Sequence, residues 1–219
     1  YGLERVYDSG DANEVRDRHA AYFARFVARQ EQDFWSPRQV EAFDAVADEL
    51  DDIRLALTSS IELCPERAVR FAAGLGWFWA ERGHWLEARE WQARCATRSE
   101  GMPDDVVARL LTVKAWIHID LGEADDALRD ATEAETIARR AGDTVGQAWA
   151  AFAIGRYYAW FGEDSTEAYI WYARAGEEFA ALGRVSEAAL AELFLLMAAF
   201  FRGDNETVDA VRGRLLWPG

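Results

Sequence analysis

The sequence is poor in the residues that do covalent and metal chemistry. Among 219 residues there are two cysteines, Cys64 and Cys95, and three histidines, His19, His84 and His118. Two cysteines exclude a disulfide scaffold or a cysteine-built zinc cluster. The histidines lie far apart, with no H-E-x-x-H or Cys/His ligand spacing. Neither a G-x-x-x-x-G-K-[ST] phosphate cradle nor a serine-nucleophile pattern occurs. The acidic pairs Asp51/Asp52, Asp104/Asp105 and Asp125/Asp126 are sequence neighbours, which do not face each other on a helix. Several fall in first helical turns, where a carboxylate favours the helix dipole. The expectation is a non-enzyme with no catalytic residue, no metal ligand and no cofactor.

Other absences narrow the setting. No run approaches the ~18 apolar residues of a membrane span, and no basic-then-apolar leader opens the chain. A cytoplasmic protein without a membrane partner is expected. Lysine is confined to Lys114, and the 39 acidic residues outnumber the 24 basic ones, for a formal charge of −15. Such a surface repels phosphate backbones, so no direct nucleic-acid binding is expected. The acidity reads as a solvated, colloidally stable surface, with a basic partner as the alternative. The chain begins without methionine, inside what reads as a helix already under way, and is expected to be part of a longer protein.

What is present is helical periodicity. Val40, Phe43, Ala47, Leu50, Ile53 and Leu57 recur at steps of three and four, a single helical stripe. No sustained period-two alternation suggests a strand. Pro37, Pro65 and Pro103 precede periodic runs and read as helix starts. The expected fold is all-α, an α-solenoid of antiparallel hairpins with a helical lead-in over 1–63. Within the lead-in, a short helix is expected over about 1–8, a long one from Ala12 to about Gln32, and one or two from Pro37 to Leu63. Repeats fill 64–219, as hairpins at about 65–99, 103–141, 143–182 and 184–216.

The repeat rests on glycines that stop helices. Gly83, Gly122, Gly162 and Gly203 are separated by 39, 40 and 41 residues, and Gly142 and Gly183 form a second series. Breakers at a fixed period mark stacked helical hairpins, here with a period near 40 against the usual ~34 of tetratricopeptide repeats. Seven residues before three of the glycines lie Gly76, Ala115 and Gly155, small residues expected at helix crossings. Pairs seven apart, Ala88/Cys95, Ala127/Ala134 and Ala168/Ala175, are expected to supply the matching small faces. Leu196 holds the equivalent place before Gly203, so the last repeat is irregular.

The run Arg70-Phe71-Ala72-Ala73-Gly74-Leu75-Gly76-Trp77-Phe78-Trp79, then Arg82-Gly83-His84, Glu87, Arg89 and Trp91, carries a family resemblance. So do Tyr1, Leu3, Glu4, Arg5, Arg16, His19, Ala20, Tyr22 and Phe23. The helix around Glu49, Asp51, Asp52, Ile53, Arg54, Ala56 and Leu57 adds an E-x-D-N-L-R-x-A-L-like pattern, with Asp52 in place of the usual Asn. Together they resemble the C-terminal tetratricopeptide-repeat region of bacterial STAND-type (signal-transduction ATPase) transcriptional regulators of the antibiotic-regulatory and LuxR-type groups. The resemblance implies a parent protein with a P-loop ATPase, a winged helix and this arm, which reads an inducer or partner. The other domains of that parent would then be partners too. A free-standing tetratricopeptide adaptor is the alternative. A ring-closed α/α-toroid hydrolase would need roughly 300 residues at this repeat length and a separated acid/base pair, and is set aside.

Aromatic residues supply the candidate site. Six residues before each helix-ending glycine lie Trp77, Trp116, Arg156 and Met197, and two before lie Glu81, Asp120, Trp160 and Phe201. Trp149 and Phe152 precede Gly162 by thirteen and ten. In tetratricopeptide folds the first helix of each hairpin lines a concave groove. The expected groove is Trp77, Glu81, Trp116, Asp120, Trp149, Phe152, Arg156 and Trp160, suited to a protein, a peptide or a small inducer. The competing reading has these aromatics packed in the core or against the next repeat.

Overall fold

The computed structural model describes residues 11–163 and 166–216. Among them are twelve α-helices, one short 3-10 turn and no strand, in a helical repeat-like arrangement. The helix expected over 1–8 lies outside the described residues. The chain divides into two compact units, Tyr1–Met102 and Pro103–Gly219. Leu63, where the sequence reading ends its lead-in, lies within the first.

The first unit holds α1 (Asp11–Gln30), α2 (Gln39–Asp48), α3 (Leu50–Leu63), α4 (Pro65–Gly74), α5 (Gly76–Arg82) and α6 (Trp85–Ala96). Its core is built from Val27, Phe34, Val46, Ile53, Leu57, Val69, Leu75, Phe78 and Trp79, all nearly inaccessible to solvent. The span from Pro37 to Leu63 forms two helices that part at Glu49. The helix expected from Pro65 to Gly83 is broken at Leu75, between Gly74 and Gly76. Two glycines flanking one residue remove most of the local helix propensity. Gly74 also faces a crowded neighbour, since a Cβ there would meet the Glu31 carboxylate at 3.2 Å.

Several residues that carry the family resemblance meet in this unit. Arg54 clasps the Glu87 carboxylate with Nε and Nη2, each at 2.7 Å, and reaches Asp51 at 2.8 Å. The Trp91 indole donates to the same Glu87 at 3.3 Å, and His84 stacks on Phe78 at 6.0 Å. The hydrogen bond to Arg54 is the main cause that holds the Glu87 pKa below the ordinary carboxylate value.

The second unit holds α7 (Asp104–Leu121), α8 (Ala124–Ala141), α9 (Thr144–Phe161), α10 (Thr166–Ala181), α11 (Val185–Arg202) and α12 (Asn205–Leu216). Each helix packs on the next, and α9 also packs on α7 and α8. At the end of α7, Gly122 takes φ 78°, so its N–H reaches back to Ile119 at 3.1 Å and that of Glu123 to His118 at 2.8 Å. This left-handed closure, which a side chain disfavours, recurs at Gly83, Gly142, Gly183 and Gly203. Gly162 departs from the expected pattern. Its φ of −70° and ψ of 151° are ordinary extended backbone, so α9 stops without a left-handed turn.

The small-residue register is realised with one difference. Ala127, Ala134, Ala168 and Ala175 are completely buried, as are Ala88 and Cys95 in the first unit. At Gly155, however, the neighbour is not a small face. A Cβ there would meet the Tyr172 ring at 2.8 Å, so the glycine admits an aromatic ring rather than a second backbone.

Candidate recognition face

The eight residues expected to form one groove fall in both units. Trp77 and Glu81 belong to the first, where Trp77 is half-buried against Trp35 at a ring separation of 4.3 Å and Glu81 is exposed. The other six belong to the second and lie on α7 and α9.

Of these, three form a packed cluster. Trp149 stands 5.3 Å from Trp116 and 5.8 Å from Phe152. Phe152 is fully buried and Trp116 is 5% exposed. Phe179, Tyr172 and Phe194, which the sequence reading did not single out, complete the cluster at 4.8 to 5.4 Å. Phe152 and Trp116 are therefore core residues of this unit and have almost no surface to offer a partner.

One turn further along the same faces, the chemistry changes. Arg156 Nη2 donates to Asp120 Oδ1 at 2.7 Å, and the two side chains are only 11% and 12% exposed. Burial raises the Asp120 pKa, and the charge and hydrogen bond of Arg156 oppose that shift without cancelling it. One more turn on, Trp160 is 68% exposed. On α11 the residues equivalent to Arg156 and Trp160 are Met197 and Phe201, exposed at 47% and 76%. Phe152 and Phe194 touch at 5.2 Å. Arg156 and Trp160 follow Phe152 at steps of four along α9, and Met197 and Phe201 stand four apart on α11.

Along α9 the order is therefore a buried aromatic cluster, a nearly buried ion pair to α7, and an exposed tryptophan. Leu193 and Phe200 continue the exposed apolar surface along α11. The count of six and two residues before Gly203 already pointed to Met197 and Phe201. Nothing in the linear sequence pointed to Tyr172, whose place depends on the crossing at Gly155.

A second polar cluster lies at the α7–α8 turn. His118 Nδ1 is 2.5 Å from Glu123 Oε2, and its Nε2 is 3.5 Å from the buried Asp130, which Lys114 meets at 2.9 Å. His118, Glu123 and Asp126 have ligand atoms within 4.8 Å of one another, close enough to share a cation. Each is already engaged, Asp126 by Arg129 at 2.5 Å, so the cluster reads as an ion-pair network.

Comparison with known proteins finds solved structures of similar fold. BtubC (BKLC) from P. vanneervenii, solved by crystallography, superposes with a TM-score of 0.63 over 91% of this chain and 89% of its own, at 19% identity. The likeness is one of fold. No protein-family model and no curated protein matches the sequence. Among the described residues no helix is long and apolar enough to cross a membrane.

Proposed function

We propose that this chain is a non-catalytic recognition module, a tetratricopeptide-like solenoid with a period near 40 residues. Its binding surface is the exposed rim of Trp160, Met197 and Phe201 around the Arg156–Asp120 pair. The observation that carries this reading is the contrast along equivalent positions. Phe152 and Trp116 are buried by the helices that follow them, whereas Met197, Phe201 and Trp160 remain open. Large apolar side chains gathered on one face, rimming a polar pair, are the usual composition of a binding site. The acidic surface favours partners that are neutral or basic.

The family resemblance supports a more specific reading, in which the module is the sensor arm of an ATP-dependent transcriptional regulator and acts in the cytoplasm. The free-standing adaptor is the second reading. Sequencing the coding DNA upstream of Tyr1 separates them. The sensor reading expects a P-loop motif and a winged helix encoded there. A start codon adjacent to Tyr1 with neither motif overturns it and leaves the adaptor.

A further inference from the structure

We infer that α11 pairs with α11 of a second copy of this chain, antiparallel about a twofold axis that passes beside Leu193. This rests on the recognition function proposed above and names the occupant of the α11 part of that surface.

The composition of α11 is the first ground. A helix that is apolar all round belongs in an interior. On its inner side Ala191, Leu195, Ala198 and Ala199 are buried, and the buried Glu187 accepts from Arg184 at 2.7 Å. Its outer side is just as apolar. At helical steps of three and four, Ser186, Ala189, Leu193, Met197 and Phe200 form a stripe without a charge, and all five are exposed. Val185 and Phe201, also exposed, flank the two ends.

The order of sizes along the stripe selects the occupant. A twofold contact must be complementary to itself. Ala189 and Ser186 lie four and seven residues before Leu193, and Met197 and Phe200 lie four and seven after it. Turned antiparallel about Leu193, each Met197 meets an Ala189 and each Phe200 meets a Ser186. Large side chains then face small ones, as interdigitated packing requires. A parallel pair would instead set Phe200 against Phe200 and leave Ser186 facing Ser186. Area and charge bear on strength. The large residues of the stripe and its flanks leave roughly 600 Å² open on each copy, so pairing buries about 1,200 Å², the lower end for specific interfaces. Each copy carries a charge of −15, and the two repel overall, but the stripe each presents is neutral. Pairing is therefore weak and is strengthened by salt, the reverse of a contact made through ion pairs.

The test is sedimentation of the whole chain over about 1 to 200 µM, where a contact of this size should give a dissociation constant of roughly tens of micromolar. Raising salt from about 0.05 to 0.5 M should tighten it. Leu193→Glu buries two carboxylates at the axis and should weaken pairing at least about a hundredfold without lowering the unfolding midpoint. Under mild oxidation, Ser186→Cys and Phe200→Cys chains should cross-link when mixed and not when alone. The wild type, with Cys64 half-buried and Cys95 buried, is the control. A monomer throughout the range, or a dimer indifferent to Leu193→Glu, would overturn the inference, and so would each cysteine variant cross-linking with itself. The two readings fail separately. If the chain stays monomeric while a photo-crosslinker at Phe201 gives an adduct other than a doubled chain, the face stands and the second copy falls. If it stays monomeric and no adduct forms, the face falls as well.

Discussion

Gly155 shows how one residue fixes the neighbourhood of the site. The Tyr172 ring it accommodates is also 5.4 Å from both Phe152 and Phe194, so it has little room to retreat. Gly155→Ala should gain about 1 kcal/mol in helix propensity and lose about 1–3 kcal/mol to overpacking. A net fall in stability on chemical denaturation is expected, and a stabilised variant would show that the ring can move. The pH response belongs to the same scale. The hydrogen bond to Asp130 raises the His118 pKa above 6.5 against burial, with Glu123 assisting. Its stabilising contribution is complete below pH 6.5 and is lost as pH rises through the raised value. Burial would raise Asp130, but His118, Lys114 and Arg129 outweigh it and hold the pKa at about 2. That contribution is present above pH 3.8, the ordinary aspartate value, and is lost as pH falls toward 2. Thermal midpoints should fall on the alkaline side in the wild type and much less in His118→Gln.

At the scale of elements, the stops of the helices were legible and their mechanism only partly so. Glycine spacing located the ends of α7, α8, α10 and α11, because in each the chain needs positive φ. At Gly162 the same spacing marks a stop made with extended backbone, which any residue can adopt. Gly122→Ala should therefore cost about 1 kcal/mol or more, whereas Gly162→Ala should be nearly neutral by the same denaturation measurement. The break at Leu75 could not be read from periodicity, since Phe71, Leu75, Phe78 and Trp79 keep a helical rhythm across it. The groove residues illustrate the same limit. Their register on the first helices was visible in sequence, but burial depends on what covers each position. Phe194 covers Phe152, while Trp160 and Phe201 remain exposed.

At the scale of the whole molecule, the account holds that the open apolar rim serves binding and contributes little to folding. Replacing Trp160, Met197 and Phe201 together by serine should leave the unfolding midpoint within a few degrees of wild type, since surface substitutions away from packed features are worth about ±0.5 kcal/mol each. A loss of several kcal/mol would place them in the core instead. The most direct measurement introduces a photo-crosslinking benzoylphenylalanine at Trp160, at Phe201, or at the exposed Glu133 on α8, in cells that make the protein. The account predicts a discrete adduct from positions 160 and 201 that is missing at 133. No adduct at either rim position, or the same products from all three, would contradict it.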